Sequence, residues 1–202
     1  MNTRINVVFF LISASITSGA IYYLDEDFES SFPPTGWGIQ SWGDFPQSAN
    51  WVQDSGGPWG QYAYGYSNVG GTYLAAADLY TCAISVPVGS TFYYCFNYTR
   101  IDGIYGQPHS YFCIGTPPNP FFAPSSICNI ELSQTSQWHT CDGSAVNTLG
   151  TNLAAAWRVY ALCQGSYLPA TISLSVDNAR ISDEPFTTVE LSSLGSIKAS
   201  FK

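Results

Sequence analysis

Alternation of apolar residues with other residues, repeated over several short stretches, constrains this chain more than any other feature of its sequence. Side chains two residues apart lie on the same face of a strand, so this period predicts strands with distinct faces. The alternating positions are Tyr62, Tyr64 and Tyr66; Phe92, Tyr94, Phe96 and Tyr98; Trp157, Val159 and Ala161; and Ile172, Leu174 and Val176. Turn-forming stretches such as SGGP, NVGG and IDGIYG separate them. The pattern predicts an all-β fold, a β-sandwich.

The two ends of the chain differ in character from its middle. Residues 1–20 carry Arg4, an apolar run and a small-residue ending, which is typical of a secretory signal peptide. An uncleaved membrane anchor is the alternative, but the run is shorter than the roughly 20 apolar residues that a span needs. Residues 185–202 form a tail, interpreted either as a frayed terminus or as a sorting or docking segment. We therefore expect an exported domain at 21–184, secreted or displayed on the cell surface.

The charge balance argues against two classes of partner. Without Arg4 the chain has five basic residues against 14 acidic ones, so its net charge is 5 − 14 = −9. Binding to nucleic-acid phosphates or to an anionic membrane requires clustered lysines and arginines. The bulk of the domain contains only Arg100, Arg158 and Arg180. We therefore expect neither nucleic acid nor an anionic membrane surface as a partner.

The cysteines predict disulfide bonds, because their number is even and the chain is expected to be exported. They are Cys82, Cys95, Cys113, Cys128, Cys141 and Cys163. Sequence does not choose among their pairings. The proline-rich segment from Gly115 to Cys128 predicts a surface loop, which a Cys113–Cys128 bond would close. Zinc is disfavoured, since no CxxC motif occurs and the two histidines lack paired spacing.

The order of several motifs resembles a known group of families. DEDFESSFPPTGW opens the domain at Asp25, SANWVQDSG and GQYAYGYSN follow, WRVYALC comes late, and ISLSVDNARI closes it. This order is similar to that of choice-of-anchor J and cleaved-adhesin domains, which are similar in turn to MAM domains and to jelly-roll carbohydrate-binding modules. The resemblance covers residues 25–182 and implies a jelly-roll β-sandwich of two antiparallel sheets. The six cysteines and the proline-rich segment depart from the bacterial members of these families.

The opening motif predicts a turn that returns an aromatic side chain to the core. Phe28 and Phe32 are expected to face the core. Pro33 and Pro34 are expected to end the first strand, because proline fixes φ and lacks a hydrogen-bond donor. Trp37 would then fold back and pack.

Carboxylates from both ends of the domain predict a cation site. In a jelly roll the first and last strands commonly lie side by side, which would bring Asp27 and Glu29 towards Asp177 and Asn178. Converging carboxylates repel one another unless a cation lies between them, and Ca²⁺ binds through oxygen ligands of this kind. We expect a structural Ca²⁺. The alternative is a solvated acidic edge that deters strand-to-strand aggregation.

Exposed aromatic side chains are the candidates for ligand contact, because sugar rings stack on aromatic faces while neighbouring polar groups bind their hydroxyls. The candidate ligand-binding residues are Trp42, Trp59, Tyr62, Tyr64, Asp54 and Gln61. Trp42 and Trp59 lie among glycine, proline and serine, so we expect them to be exposed. Trp37 and Trp51 match positions that look structural in the families above. The alternative for the alternating tyrosines is burial in the core.

No motif in the sequence predicts catalysis. GxSxG, HExxH and Walker-type glycine loops are absent from it, and its acidic residues in the middle of the domain occur singly rather than in pairs. We predict a secreted or surface-displayed, non-catalytic binding or adhesion module for glycan or extracellular protein. The alternative is a structural subunit of an extracellular surface layer, matrix or filament, which would self-associate through an edge strand or its tail.

Overall fold

The structure is a computed structural model that describes residues 20–150 and 152–186. The predicted signal peptide lies outside these ranges except for Ala20, and so does the predicted tail beyond residue 186. Within them, the structure contains no helix of the length and apolarity that a membrane span requires.

The described residues form strands joined by turns and one short 3-10 turn at Pro46–Ser48. The strands are β1 (Tyr22–Glu26), β2 (Gly38–Gly43), β3 (Ala49–Gly57), β4 (Gly60–Gly71), β5 (Leu74–Tyr80), β6 (Ile84–Ser85), β7 (Thr91–Asp102), β8 (Gln107–Gly115), β9 (Ser126–Glu131), β10 (Thr135–Val146), β11 (Asn152–Leu162) and β12 (Ser166–Ser182).

These strands form two antiparallel sheets that pack face to face. Sheet I has the order β10-β7-β12-β4-β3, with β1 added beside β12. Sheet II has the order β2-β5-β11-β8-β9, with β6 added beside β11. Every pairing is antiparallel. The predicted all-β fold, a jelly-roll β-sandwich of two antiparallel sheets, is confirmed.

The core lies between the sheets and is rich in aromatic rings. Phe96 of sheet I lies 4.6 Å from Phe112 and 5.6 Å from Trp157, both of sheet II, between ring centroids. All three side chains are buried. Rings of this size bury about 150–250 Å² each, so such contacts dominate the packing of the two sheets. The predicted inward faces of β7, β11 and β12 are confirmed, with Tyr98 only partly buried.

The tyrosines of β4 share one face, as the alternation predicts, but this face is the outer one. The alternate positions Ala63, Gly65 and Ser67 are buried instead. The inner surface of β4 needs small residues because the indole of Trp51 lies against it. A Cβ atom at Gly65 would come within 2.7 Å of that indole.

The opening motif packs as predicted, although the first strand ends earlier than predicted. β1 lies beside β12, with Asp25 opposite Arg180, so the first and last strands are neighbours. The strand ends at Glu26 rather than at the prolines, because the Glu26 carboxylate accepts the backbone N–H of Phe28 at 2.7 Å and turns the chain. Phe28 is fully buried and meets Trp37 edge to face at 5.6 Å.

All six cysteines are free thiols in the structure, and the disulfide bonds stay a prediction. Cys113 is opposite Asn129 and Cys128 is opposite Ile114, which places the two thiols on opposite faces of sheet II. A bond between them would require the backbone to move. Burial raises the pKa of Cys95, Cys113 and Cys141 to about 12, so a free thiol at these positions is protonated at neutral pH.

Candidate functional site

The outer face of sheet II combines aromatic and polar side chains. On β11, Trp157 and Val159 point into the core, so Arg158 and Tyr160 point outward. The strand register places Trp42 in the same row as Tyr160. We call this surface the Trp42 face. Its outward side chains are Gln40, Trp42, Asp78, His109, Tyr111, Glu131, Arg158 and Tyr160.

Five rings form a continuous aromatic strip on the Trp42 face. Phe122 meets Trp42 at 5.6 Å, and Trp42 meets Tyr160 at 6.2 Å, between ring centroids. Tyr160 then lies 5.9 Å from His109, which stacks on Tyr111 at 6.0 Å with their planes 17° apart. Phe122 is 53% exposed, and the other four rings are partly exposed. The strip therefore presents a broad, partly solvent-accessible aromatic surface.

A buried ion pair holds the strip in place. The carboxylate of Asp78 is fully buried and accepts hydrogen bonds from the Arg158 guanidinium at 2.6 and 2.8 Å. Asn119 donates to the same carboxylate at 2.9 Å. These contacts join β5, β11 and the loop between β8 and β9. They also provide hydrogen-bond donors and an opposite charge for the carboxylate of Asp78, which would destabilise the fold if it were buried unpaired.

The proline-rich loop predicted from Gly115 to Cys128 is shorter in the structure, at 116–125, because β9 begins at Ser126; it packs onto the Trp42 face. The Arg158 guanidinium carbon lies 4.1 Å from the ring centroid of Phe121, 5.1 Å from that of Phe122 and 4.7 Å from that of Trp42. Cation–π contacts of this kind fix the loop against the sheet. A pocket of about 210 Å³ lies beside it, between Gln40 and Phe122. The loop therefore forms one wall of the site.

The Trp42 face carries little free charge. Arg158 is neutralised by Asp78, and the Nδ1 atom of His109 lies 2.6 Å from a carboxylate oxygen of Glu131. Each of the three arginines in the described ranges is ion-paired. Burial raises the pKa of Tyr111, so its hydroxyl remains a neutral hydrogen-bonding group at physiological pH. This arrangement suits contact with uncharged, ring-shaped ligands.

The structure divides the predicted ligand-binding residues between two surfaces. Trp42 lies on the aromatic strip, whereas Trp59, Tyr62, Tyr64, Asp54 and Gln61 belong to β3, β4 and their turn in sheet I. Trp59 packs on Trp138 at 5.3 Å, and Tyr62 packs on the same ring at 5.5 Å. The Tyr62 hydroxyl donates to Asp54 at 3.0 Å. Trp138 belongs to β10, at the opposite edge of sheet I from β3, so these ring contacts connect the β3–β4 hairpin to β10.

The four residues predicted to bind Ca²⁺ make contacts within the protein. Glu29 accepts the backbone N–H of Gln61 at 2.9 Å, and Asp27 accepts that of Glu29 at 3.2 Å. Asp177 is buried and accepts the backbone N–H of Asn178 at 2.7 Å. In the part of the chain that the structure describes, no three His, Cys, Asp or Glu side chains converge as a metal site. The Ca²⁺ site stays a prediction.

Sequence reasoning missed most of the aromatic strip. The ligand-binding residues predicted from the sequence do not include its other four rings, those of His109, Tyr111, Phe122 and Tyr160. The outward direction of Tyr160 is predictable from the sequence, because Tyr160 alternates with the core positions of WRVYALC. The position of Phe122 is not predictable in this way, because a proline-rich stretch does not show which of its aromatic rings packs over the sheet.

Comparison with solved structures relates the fold to carbohydrate-binding modules. No protein-family model matches the chain. No curated protein matches it either. The carbohydrate-binding module TmCBM61, solved with β-1,4-galactotriose, has a TM-score of 0.53 at 12% sequence identity and covers 81% of this chain and 99% of its own. The CBM22-1 xylan-binding domain of Paenibacillus barcinonensis Xyn10C has a TM-score of 0.46 at 10% identity, covering 83% and 97%.

The likeness to TmCBM61 is a likeness of fold. It agrees with the part of the resemblance that concerns jelly-roll carbohydrate-binding modules. The choice-of-anchor J part stays a prediction. The chain thus has the jelly-roll β-sandwich of the carbohydrate-binding modules.

Proposed function

We propose that the protein is a secreted or surface-displayed, non-catalytic module that binds glycans through its Trp42 face. The observation that carries this proposal is the aromatic strip, which runs from Phe122 through Trp42 and Tyr160 to Tyr111. Sugar rings have apolar C–H faces that pack on aromatic side chains, and their hydroxyls bind nearby polar groups. The fold likeness to a module solved with a galactotriose supports the ligand class.

Electrostatics favours uncharged glycans over acidic ones. The arginine beneath the strip is already bound to a fully buried carboxylate. Glu131 lies half exposed at one side of the strip, with the His109 ring at 2.6 Å and the Arg100 guanidinium at 3.8 Å from its carboxylate. A uronic acid or sulfated sugar would find no unpaired arginine among the described residues. We therefore expect neutral hexose or pentose chains as ligands.

Individual side chains have different roles in this proposal. Trp42 and Tyr160 provide the central stacking surface, because they lie side by side on β2 and β11. Gln40 is exposed next to the loop pocket, where its amide can bind sugar hydroxyls. Asp78, Arg158 and Asn119 act as positioning residues, since their hydrogen bonds are made within the protein.

The test is retardation of the purified protein in gels that contain soluble neutral polysaccharides, followed by a panel of neutral oligosaccharides that includes β-1,4-galactotriose. Trp42→Ala should weaken binding by about tenfold or more, as expected for an aromatic residue that anchors a ligand. Trp59→Ala is the matched control, because this tryptophan is also partly exposed and packs on one neighbouring ring, but in sheet I. The proposal is wrong if no neutral glycan binds, or if both variants bind like the parent protein.

A further inference from the structure

The outer face of sheet I contains a trough. It lies on the opposite sheet from the Trp42 face, and the two surfaces have no residue in common. The floor of the trough is Thr171 and Ser173 of β12, which carry short polar side chains. Tyr66 of β4 lies opposite Ser173 on one side, and Ile101 of β7 lies opposite it on the other. The resulting pocket has a volume of about 370 Å³, within the range of about 300–1,000 Å³ that ligand sites occupy. We call it the Tyr66 trough.

The trough follows from the order of strands in the sheet. Neighbouring strands lie about 4.8 Å apart, so a strand with short side chains between two strands with long ones leaves a channel along its length. Towards Thr171 this channel is open, because Thr171 and Ser173 are partly exposed. In the other direction it closes, because Ser175 and Asp177 are buried.

We infer that the Tyr66 trough is a second binding surface, for an uncharged oligosaccharide chain. The rings of Tyr64 and Tyr66 lie 6.2 Å apart with their planes tilted by 31°, which provides adjacent platforms for consecutive sugar rings. The hydroxyls of Thr171 and Ser173 supply hydrogen-bonding groups along the floor. The inference uses the proposed function only for the class of ligand, because the site and its residues are different.

Charge at the trough favours an uncharged ligand. Asp102 belongs to its lining, and both carboxylate oxygens of Asp102 accept hydrogen bonds from Arg100 at 2.7 Å. The lining contains no lysine, and Arg100 itself is buried beneath the surface. A phosphate, sulfate or uronate group would therefore meet a carboxylate without an accessible cation.

Backbone pairing argues against a peptide that binds as an added strand. Peptides that extend a sheet bind to the unpaired backbone groups of an edge strand. Here β4 lies between β3 and β12, and β12 lies between β4 and β7. A ligand in the trough must therefore be bound by side-chain rings, hydroxyls and amides, which are the groups that bind sugars.

Two surfaces on opposite sheets would let one protein molecule bridge two polysaccharide chains. The experiment measures binding and turbidity with soluble galactan, xylan and glucomannan, first with the full chain and three variants and then with two further variants. The first three are Trp42→Ala, the double variant Tyr64→Ala/Tyr66→Ala, and the control Tyr93→Ala, which alters a partly buried tyrosine near the far end of β7. Each site variant should bind about tenfold more weakly at its own surface. Only the parent and the control should make long polysaccharides turbid.

The outcomes separate this inference from the proposed function. The trough is supported if Trp42→Ala still binds polysaccharide and a variant that combines Trp42→Ala with Tyr64→Ala and Tyr66→Ala does not. If Tyr64→Ala/Tyr66→Ala binds and bridges like the parent, the trough is overturned and the Trp42 face stands. If that variant alone abolishes binding, the trough stands and the Trp42 face is refuted. If the parent binds none of the three polysaccharides, both are refuted. The double variant Tyr64→Phe/Tyr66→Phe, which keeps the rings, should retain binding and so distinguishes lost contact from misfolding.

Discussion

Replacement of Arg158 by methionine tests the structural basis of the candidate site. Methionine keeps much of the apolar stem but removes the two hydrogen bonds, of 2.6 and 2.8 Å, to the fully buried carboxylate of Asp78. Breaking a buried pair in this way leaves an uncompensated charge and costs about 3–5 kcal/mol. With a urea m value of about 2–3 kcal/mol/M, the unfolding midpoint should fall by about 1–2.5 M. Urea unfolding followed by tryptophan fluorescence measures this shift.

Arg180→Met is the matched control for this prediction. Arg180 also pairs with an aspartate on a neighbouring strand, at 2.8 Å, but the side chain of Asp25 is 53% exposed. Exposed ion pairs contribute about 0–1 kcal/mol, so this variant should shift the midpoint by less than about 0.5 M. Equal midpoints for the two variants would refute the reasoning, because burial of the carboxylate would then not determine the cost.

Three further predictions follow from particular contacts. Gly65→Ala should destabilise the protein by about 1–3 kcal/mol in urea unfolding, because its Cβ would overlap the Trp51 indole, whereas Gly70→Ala has open space and should change stability by less than about 0.5 kcal/mol. Burial raises the pKa of Tyr62 to about 12, above its unfolded value of 10.0, so its contribution to stability is present below pH 10 and is lost as the pH rises through 12. The free energy of unfolding of Tyr62→Phe should fall less than that of the parent between pH 10 and 12. The same pH dependence in both proteins would contradict this. We also propose that Ca²⁺ stabilises the protein, so a chelator should lower the melting temperature of the parent but not of Asp27→Ala, and equal shifts in both would remove Asp27 from the site.

Alternation was sufficient to predict the fold class and the inward-facing residues of β7, β11 and β12. Phe92, Phe96, Leu174 and Val176 occupy the inner faces that their spacing indicated, because a strand allows only two faces and one of them must be buried. The tyrosines of β4 show the limit of this reasoning. Their spacing fixed a shared face but not which face was buried. That choice depends on Trp51, which lies on a neighbouring strand and fills the space above Gly65.

The candidate site was less predictable, because it assembles residues that are distant in sequence. Trp42, His109 and Tyr160 meet through the order of strands in sheet II, and strand order is not visible in a pattern with a period of two. The prediction that Trp42 is accessible rested on its glycine- and serine-rich surroundings, and Trp42 is partly exposed. Arg158 appeared only as part of the charge count, whereas its role depends on Asp78, which lies 80 residues away.

The most direct test of the account is an NMR titration of the protein with the neutral oligosaccharide that binds best in the panel. We predict that the amide resonances of β2, β8 and β11 shift, together with the indole N–H of Trp42. The indole N–H of Trp51, which donates to the Ala77 carbonyl at 3.0 Å inside the core, should not move. Saturation with oligosaccharide that leaves the resonances of the Trp42 face unchanged would contradict the account.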